Sequence, residues 1–289
     1  MRILGVVVTL LSLLVSVSSP VWGQQLTFTD LGWGTAAYGI NDAGQIVGTY
    51  LGETSCDGPN DCRASARYHG FRTNPGIEIN YPRANFYFTP RDHSAFTKAY
   101  GISATGQIVG WARNDTGLHA FLRDTNGGFT TISALYPDGI NSSGQIVGGN
   151  GQGFLLSGGT LTTIAPPGAL SSAASGINDA GQIVGWFSNA AGTHGFLLSG
   201  SNFITIDVPG AALGTQALGI NATGQIVGVF TDARSVSHGF LLSGGTFATV
   251  DVSVAMGGNT VAHGINVTGQ VVGTFVDANQ TVHGFLASP

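Results

Sequence analysis

The sequence has 289 residues, of which 9% are charged and 43% are hydrophobic, and its formal net charge at pH 7 is −5. The apolar content excludes a disordered chain, which would lack the residues needed to build a core. The mild negative charge excludes a partner recruited by a strong electrostatic field, so we expect no nucleic-acid partner. The 46 glycines favour turns and strands over helices.

The first segment has the features of an export signal. The chain begins Met-Arg, continues as a largely apolar run from Ile3 to about Val17, and has small residues before a cleavage point that we place after Gly23. This order is typical of a secretory signal peptide. We therefore predict a signal peptide over residues 1–23, one domain over residues 24–289, and secretion to the periplasm or the extracellular space. The apolar run is shorter than the roughly 20 residues of a spanning helix, so a retained membrane anchor is the less favoured alternative.

A ten-residue motif recurs through the rest of the chain. Its first copy, at residues 39–48, is Gly-Ile-Asn-Asp-Ala-Gly-Gln-Ile-Val-Gly. The later copies begin at Gly101, Gly139, Gly176, Gly219 and Gly264. Each copy is followed by His-Gly-Phe or a close variant, at residues 69–71, 119–121, 152–154, 194–196, 238–240 and 283–285. Self-similarity at such a period is the signature of a repeat architecture.

Each repeat reads as four strands in chain order. The first ends at Gly-Ile-Asn, and Asn-x-x-Gly supplies a type I turn. Gln-Ile-Val-Gly begins a nearly continuous apolar second strand, as expected for burial on both faces. His-Gly-Phe begins the third strand, and a turn such as Ser-Gly-Gly leads to a fourth that is rich in Thr, Ile, Val and Phe. Four strands per repeat are typical of a propeller blade.

The two ends of the chain predict a closed ring. The sixth repeat stops after its third strand, at Pro289, while a strand that resembles the missing fourth stands at residues 26–31. An N-terminal strand that completes the last blade would remove the free sheet edges. Small residues also precede each Gly-Ile-Asn or Gly-Ile-Ser, as crowded innermost strands require; they are Ala37, Ala99, Pro137, Ala174, Ala217 and Ala262. We predict an all-β, six-bladed β-propeller of four-stranded blades, with a β-solenoid or a split sandwich as the alternatives.

Gly-Ile-Asn-x-x-Gly-Gln-Ile-Val-Gly followed by His-Gly-Phe or His-Ala-Phe resembles the HAF repeat, a probable extracellular repeat of bacteria. The resemblance covers essentially the whole chain after residue 23, in six copies. It implies export and repetition, and it assigns no catalytic residue. The third copy departs from the pattern by placing Gln152 where the others have His, and the first departs by a long insertion.

The repeated histidines invite comparison with a metal site. They are His69, His119, His194, His238 and His283. We favour a scaffold role instead, because an imidazole can tie two strands by hydrogen bonds. Gln152 can replace neutral His as donor and acceptor but is a poor metal ligand. We therefore expect neither a bound metal nor a cofactor.

The first repeat carries two insertions, at residues 51–67 and 82–97. Six of the ten Lys and Arg residues lie between Arg63 and Lys98. The first insertion also holds Cys56 and Cys62, which we expect to pair in an exported protein. In an up-and-down blade, the loop after the second strand and the loop after the fourth leave the same face of the ring, so we expect both insertions there.

Long loops side by side on a rigid scaffold commonly carry binding sites. We expect Arg67, Arg83 and Arg91 to hold anionic groups and Tyr87 to stack on a sugar ring. The sequence thus favours a secreted, non-enzymatic monomer that binds an extracellular glycan or another surface component, including a surface protein.

Two alternatives remain open at this point. The first is a glycan-active enzyme on the same face, with Asp92 and His93 as acid and base. The chain shows no nucleophile-elbow, phosphate-loop or zinc-protease motif, and its only Glu residues are Glu53 and Glu78. The second alternative is a purely structural envelope protein, in which the insertions only stabilise the ring. Trp111 and Trp186, at equivalent places after Val-Gly, are interpreted as packing between blades, or else as platforms for sugar.

Overall fold

A computed structural model of the protein describes residues 11–13, 26–52, 68–82, 96–114, 116–134, 136–252 and 259–289. Every regular element within these residues is a β-strand. The strands form six antiparallel sheets, and the innermost strands of the six sheets contact one another in a closed circle. The protein is therefore a six-bladed β-propeller, as the repeats predict.

Blades one to three follow one another along the chain, each built from innermost to outermost strand. Blade one contains β3 (Thr35–Ile40), β4 (Ile46–Leu51), β5 (Tyr68–Arg72) and β6 (Ile77–Ile79). Blade two contains β7 (Phe96–Ile102), β8 (Ile108–Asn114), β9 (Gly117–Arg123) and β10 (Phe129–Ile132). Blade three contains β11 (Pro137–Ile140), β12 (Ile146–Gly149), β13 (Gly153–Ser157) and β14 (Thr160–Ile164).

Blades four and five repeat this order, and blade six joins the two ends of the chain. Blade four contains β15 (Ser171–Ile177), β16 (Ile183–Asn189), β17 (Gly192–Ser199) and β18 (Asn202–Ile206). Blade five contains β19 (Gly214–Ile220), β20 (Ile226–Thr231), β21 (Ser237–Ser243) and β22 (Thr246–Val250). Blade six contains β23 (Thr260–Ile265), β24 (Val271–Val276), β25 (Val282–Ser288) and β2 (Thr27–Trp33), with β1 (Leu11–Leu13) outside β2.

The N-terminal strand closes the ring, as predicted. Strand β2 pairs antiparallel with β25, from Thr27 opposite Ser288 to Trp33 opposite His283. Phe28 is buried, and its ring lies 5.6 Å from that of Phe285. Strand β1 belongs to the predicted signal peptide, so blade six has four strands without it. The predicted signal peptide itself stays a prediction.

The motif residues explain how the blades pack. The Val of Ile-Val-Gly is fully buried in all six blades, at Val47, Val109, Val147, Val184, Val227 and Val272. The Gly that follows it lies under the Phe of His-Gly-Phe. A Cβ on Gly185, for example, would overlap the carbonyl oxygen of Ala173 and would be 2.8 Å from the ring of Phe196. Only glycine fits there, so the second and third strands can hold an aromatic ring flat over the sheet.

The innermost strands approach most closely at the Gly of Gly-Ile-Asn. A Cβ on Gly39 would be 2.6 Å from the carbonyl oxygen of Tyr100, and one on Gly101 would be 2.7 Å from that of Asp138. The sequence argument attributed this crowding to Ala37 and its equivalents, which are indeed buried. The backbone contact nevertheless falls on the glycine two positions later.

The turn after each innermost strand links neighbouring blades. Gly181 N–H donates to the Asn178 carbonyl, as in the predicted turn, and the Asn178 side-chain oxygen accepts from Gln182 N–H at 3.0 Å. The Asn side-chain amide also donates to the carbonyl of the equivalent residue in the next blade. These donor–acceptor pairs are Asn41–Ser103, Asn141–Asn178, Asn178–Asn221, Asn221–Asn266 and Asn266–Asn41, at 2.9–3.3 Å. Blade two has Ser103 at this position, which has no amide to donate.

Candidate ligand-binding face

The antiparallel order gives the ring two different faces. The loops after the second and fourth strands of each blade lie on one side, which we call the loop face. The tight Asn-x-x-Gly turns lie on the other, the turn face. The first insertion leaves the described part of the chain after residue 52 and re-enters it at Tyr68, and the second leaves after residue 82 and re-enters at Phe96. All four of these points are on the loop face, as predicted for both insertions.

Exposed apolar side chains are concentrated on the loop face. Among the described residues, five of the eight exposed large hydrophobic residues lie at or next to strand ends on this side: Trp33, Tyr68, Leu170, Leu213 and Val282. Trp33 is 71% exposed and Tyr68 is 43% exposed. Surface aromatics of this kind are typical of recognition sites. The sequence analysis did not single out Trp33, although it ends the strand that closes the ring.

Trp33 and Tyr68 lie on adjoining strands of blades six and one. Trp33 ends β2, and the next residue, Gly34, accepts a hydrogen bond at its carbonyl from Leu51 N–H at 3.0 Å. Leu51 in turn pairs with Tyr68 across β4 and β5. The two exposed aromatic residues are therefore connected through two strand ends, directly beside the point where the first insertion re-enters.

A cluster between blades one and two surrounds the chain's single lysine. The Nζ of Lys98 lies 4.8 Å from the ring centroid of Tyr68, 5.4 Å from that of Trp111 and 5.8 Å from that of Phe96. Burial lowers the pKa of Lys98 below its usual value. Within the described residues no carboxylate pairs with this ammonium group. The aromatic rings hold the cation by cation–π attraction and leave its hydrogen-bond donors available.

Trp111 belongs to the packing between blades. Its ring lies 4.9 Å from Phe96 of its own blade and 5.5 Å from Tyr136 of blade three, in edge-to-face contacts. It also lies parallel to Tyr100, at 6.2 Å. The packing interpretation of Trp111 therefore agrees with the structure.

A second set of side chains encircles the axis. The position before the close-contact glycine is a β-bulge in each innermost strand. We call these six residues the bulge ring; in order they are Tyr38, Tyr100, Asp138, Ser175, Leu218 and His263. Each is partly exposed, whereas its two neighbours in the strand are buried, except for Gly39 beside Tyr38, which is also partly exposed. The repeat is regular around this position but varies at it, which is the pattern of a scaffold that presents different side chains at one place.

The bulge ring has an aromatic side and a polar side. Tyr38 stacks on Tyr100 with ring centroids 4.5 Å apart, and it meets His263 edge-to-face at 5.1 Å. Burial raises the pKa of Asp138 to about 8 and lowers that of His263 to about 4. Burial likewise raises the pKa of Tyr100, and the nearby charges of Tyr38 and Asp138 raise it further. At pH 7 this part of the axis is therefore nearly uncharged.

The repeated histidines tie the third strand of a blade to its outermost strand. In four blades the Nδ1 atom contacts a carboxylate: His69 with Glu78 (2.6 Å), His194 with Asp207 (2.9 Å), His238 with Asp251 (2.6 Å) and His283 with Asp30 (3.0 Å). In blade two His119 instead contacts Thr116 and Asn114, at 2.7 and 2.9 Å. The scaffold interpretation thus agrees with the structure.

The carboxylate partner of these histidines is the signal that sequence reasoning missed. In blade three, Gln152 replaces the histidine, and Ala165 stands where Asp207 stands in blade four. Blade three therefore lacks both members of the histidine–carboxylate contact that four other blades make. Within the described residues, no three His, Cys, Asp or Glu side chains form a group that would hold a metal ion.

Several predicted site residues lie outside the described residues. These are Arg67, Arg83, Tyr87, Arg91, Asp92 and His93, together with Cys56 and Cys62. The predicted ligand contacts, acid–base pair and disulfide therefore stay predictions. What the structure adds is the described surface at the base of both insertions, formed by Trp33, Tyr68 and Lys98. The described residues also contain no helix that could cross a membrane.

Comparison with solved structures finds proteins of similar fold. No family model and no curated protein matches the chain. Among solved structures, TolB from Acinetobacter baumannii has a TM-score of 0.53 and 10% identity, over 86% of this chain and 64% of TolB. Virginiamycin B lyase from Staphylococcus aureus has a TM-score of 0.46 and 14% identity, over 90% of this chain and 99% of the lyase. The fucose-specific lectin from Aleuria aurantia has a TM-score of 0.46 and 11% identity, over 83% and 86%. At these identities the similarity concerns the fold alone.

Proposed function

We propose that the protein is a non-enzymatic binding module and that its ligand is an acidic carbohydrate. The ligand would lie on the loop face across blades six, one and two, at Trp33, Tyr68 and Lys98. One observation carries this proposal: the exposed aromatic residues Trp33 and Tyr68 are linked through adjoining strand ends, and Tyr68 contacts the Lys98 ammonium group, which has no carboxylate partner among the described residues.

The aromatic part of this surface suits a sugar ring. A pyranose has an apolar C–H face and a polar rim of hydroxyl groups, so it stacks on a flat ring while its hydroxyls stay in water. Trp33 is 71% exposed. A sugar ring stacked on it would remove a large apolar surface from water, which favours binding. The strand pairing fixes the backbone of both aromatic residues, so little backbone conformational freedom is lost on binding.

The charge of the surface selects among sugars. Lys98 has no described carboxylate partner, and its ammonium group is held at the cleft between blades one and two. The insertions also contain three arginines that we predict to contact the ligand, Arg67, Arg83 and Arg91. Cationic groups of this kind favour a carboxylate or sulfate on the ligand over neutral sugars.

A glycan screen on the purified protein tests the proposal. We expect binding to acidic oligosaccharides, lost in Trp33→Ala and Tyr68→Ala. Lys98→Met should weaken binding to acidic glycans more than binding to neutral ones. Leu161→Ala is the matched control, because Leu161 is also exposed but lies on an outermost strand away from the loop face.

Other outcomes of the same screen would contradict the proposal. Chemical turnover of a bound glycan would instead support the enzyme alternative, with Asp92 and His93 as its first candidates. A protein that binds no glycan, although it is folded, would support a structural role. If Arg67, Arg83 and Arg91 are changed together to Ala and binding persists while Trp33→Ala abolishes it, the ligand contacts the base of the insertions and not their arginines.

A further inference from the structure

The central axis carries a group that the proposed glycan site does not use. Asp138 is the single carboxyl in the bulge ring, and no hydrogen bond or ion pair joins its side chain to another described residue. Its backbone carbonyl oxygen lies 2.7 Å from the Cβ position of Gly101, which follows Tyr100. The carbonyl oxygen of Ser175 lies 3.2 Å from the Cβ position of Gly139, which follows Asp138. Asp138 is therefore held at the axis between Tyr100 and Ser175.

A carboxyl group enclosed by protein without a partner is costly in its ionised form. Burial raises the pKa of Asp138 to about 8, in agreement with the missing partner. A hydrophobic residue would fill the position without this cost, as Leu218 does in blade five. Asp138 as a whole residue is partly exposed, and a propeller has a channel along its axis, so a ligand would approach the carboxyl group from that channel.

The groups around Asp138 indicate which charge a ligand at this position would carry. Tyr38 and Tyr100 form the aromatic wall, and their ring faces carry negative electrostatic potential. His263, next around the ring, is neutral at pH 7 because its pKa is lowered to about 4. Tyr136 precedes Asp138 on the same stretch of chain and contacts Trp111. None of these groups supplies a positive charge.

The lysine that shares a strand with Tyr100 contacts an aromatic ring of the neighbouring blade. Lys98 is on the same strand as Tyr100, but its Nζ lies 4.8 Å from the ring centroid of Tyr68, a residue of the third strand of blade one. The side chain therefore extends outward between blades one and two. The bulge ring therefore contains hydrogen-bond acceptors and aromatic rings, and none of its six side chains is a cation at pH 7.

We infer a second binding site in the central channel, for a small organic cation with a primary ammonium group. Asp138 supplies the counter-charge, and the Ser175 hydroxyl accepts one of the ammonium hydrogens. The adjacent aromatic wall, formed by Tyr100 and Tyr38, makes an organic cation a better fit than a metal ion, because one carboxylate and one hydroxyl are too few ligands for a divalent metal. This site is separate from the glycan surface at Trp33 and Tyr68.

The experiment measures the ionisation of Asp138 directly. The side-chain carboxyl of aspartate can be followed by ¹³C NMR against pH, and Asp138→Asn identifies the Asp138 signal. We expect methylammonium chloride to lower the apparent pKa of Asp138 by at least one unit, a tenfold change in acid dissociation. Sodium chloride at the same concentration should give a much smaller change. Ser175→Ala should weaken the methylammonium effect severalfold.

Two results would overturn the inference. One is an Asp138 pKa that responds equally to methylammonium and to sodium, which would reduce the effect to general screening. The other is a normal pKa for Asp138 in the absence of any cation, which would mean that the carboxyl is well solvated or already paired. Glycan binding by Asp138→Asn should equal that of the unmodified protein, so failure at this site and failure of the proposed function are distinguishable.

Discussion

The asparagine links on the turn face can be removed in one blade and added in another. Asn178 makes three side-chain hydrogen bonds: from Gln182 N–H, to Gln182 Oε1 and to the Asn221 carbonyl. Ser103 stands at the equivalent position of blade two, where its hydroxyl accepts from Gln107 N–H at 3.1 Å. Changing Asn178 to Ser should therefore preserve one bond of the three and lose the other two, including the link to blade five.

The size of the effect follows from those two bonds. A hydrogen bond contributes on the order of 1 kcal/mol net, and an unsatisfied buried acceptor costs about 1–3 kcal/mol. Asn178→Ser should thus lower the free energy of unfolding by roughly 2 kcal/mol, or Tm by about 4–8 °C for a chain of this size. Ser103→Asn should act in the opposite direction, by about 1–2 kcal/mol, because it completes the sixth link.

Calorimetry and urea unfolding of both variants measure these changes, and the double variant serves as the control. Because the two sites are in different blades and share no hydrogen-bond partner, their effects should add within about 0.5 kcal/mol. If Asn178→Ser leaves the stability unchanged, or Ser103→Asn destabilises the protein, the Asn amide serves only its own turn and does not link the blades.

Three further predictions concern closure, the histidines and the axis. Deleting residues 26–31 should expose an edge of blade six and cause aggregation or a marked loss of thermal stability; a deletion variant that melts like the parent would contradict closure by this strand. His194→Gln should be tolerated better when combined with Asp207→Ala, since together they reproduce blade three, and a double-mutant cycle in urea unfolding measures the coupling. Stability should fall as pH rises from 6.5 to 8, because folded Asp138, with a pKa of about 8, holds a proton that the unfolded chain has released. Asp138→Asn should remove this slope, and an unchanged slope would contradict it. His263, with a folded pKa of about 4, contributes the opposite slope only between pH 4 and about 6.5.

The fold could be predicted because its determinants lie within one repeat. Strand order in a blade follows from local turns such as Asn-x-x-Gly, and six copies report the same pattern six times. Closure was also predictable, because the incomplete last repeat and the strand at residues 26–31 complement each other. Both predictions use only the order of the strands along the chain and the length of the repeat.

The site was harder to predict, for physical reasons that differ from residue to residue. The Asn178 amide was interpreted as a turn former, because its bond to the next blade depends on how the blades are placed side by side. The bulge ring depends on a one-residue irregularity in each innermost strand, at which residues such as Asp138 are partly exposed. Trp33 is linked to Tyr68 through Gly34 and Leu51 only because the ring closes at that point. The insertions have no counterpart in the other five repeats, so the repeat gave no basis for interpreting them.

The most direct test of the proposed glycan surface follows the tryptophan indole N–H signals by NMR during titration with an acidic oligosaccharide. Trp33 lies on the loop face, Trp111 lies behind Lys98, and Trp186 is in blade four. Binding at the Trp33, Tyr68 and Lys98 surface predicts a large, saturable shift of the Trp33 signal, a smaller shift for Trp111 and none for Trp186. A ligand that shifts Trp186 and leaves Trp33 unchanged would contradict the account.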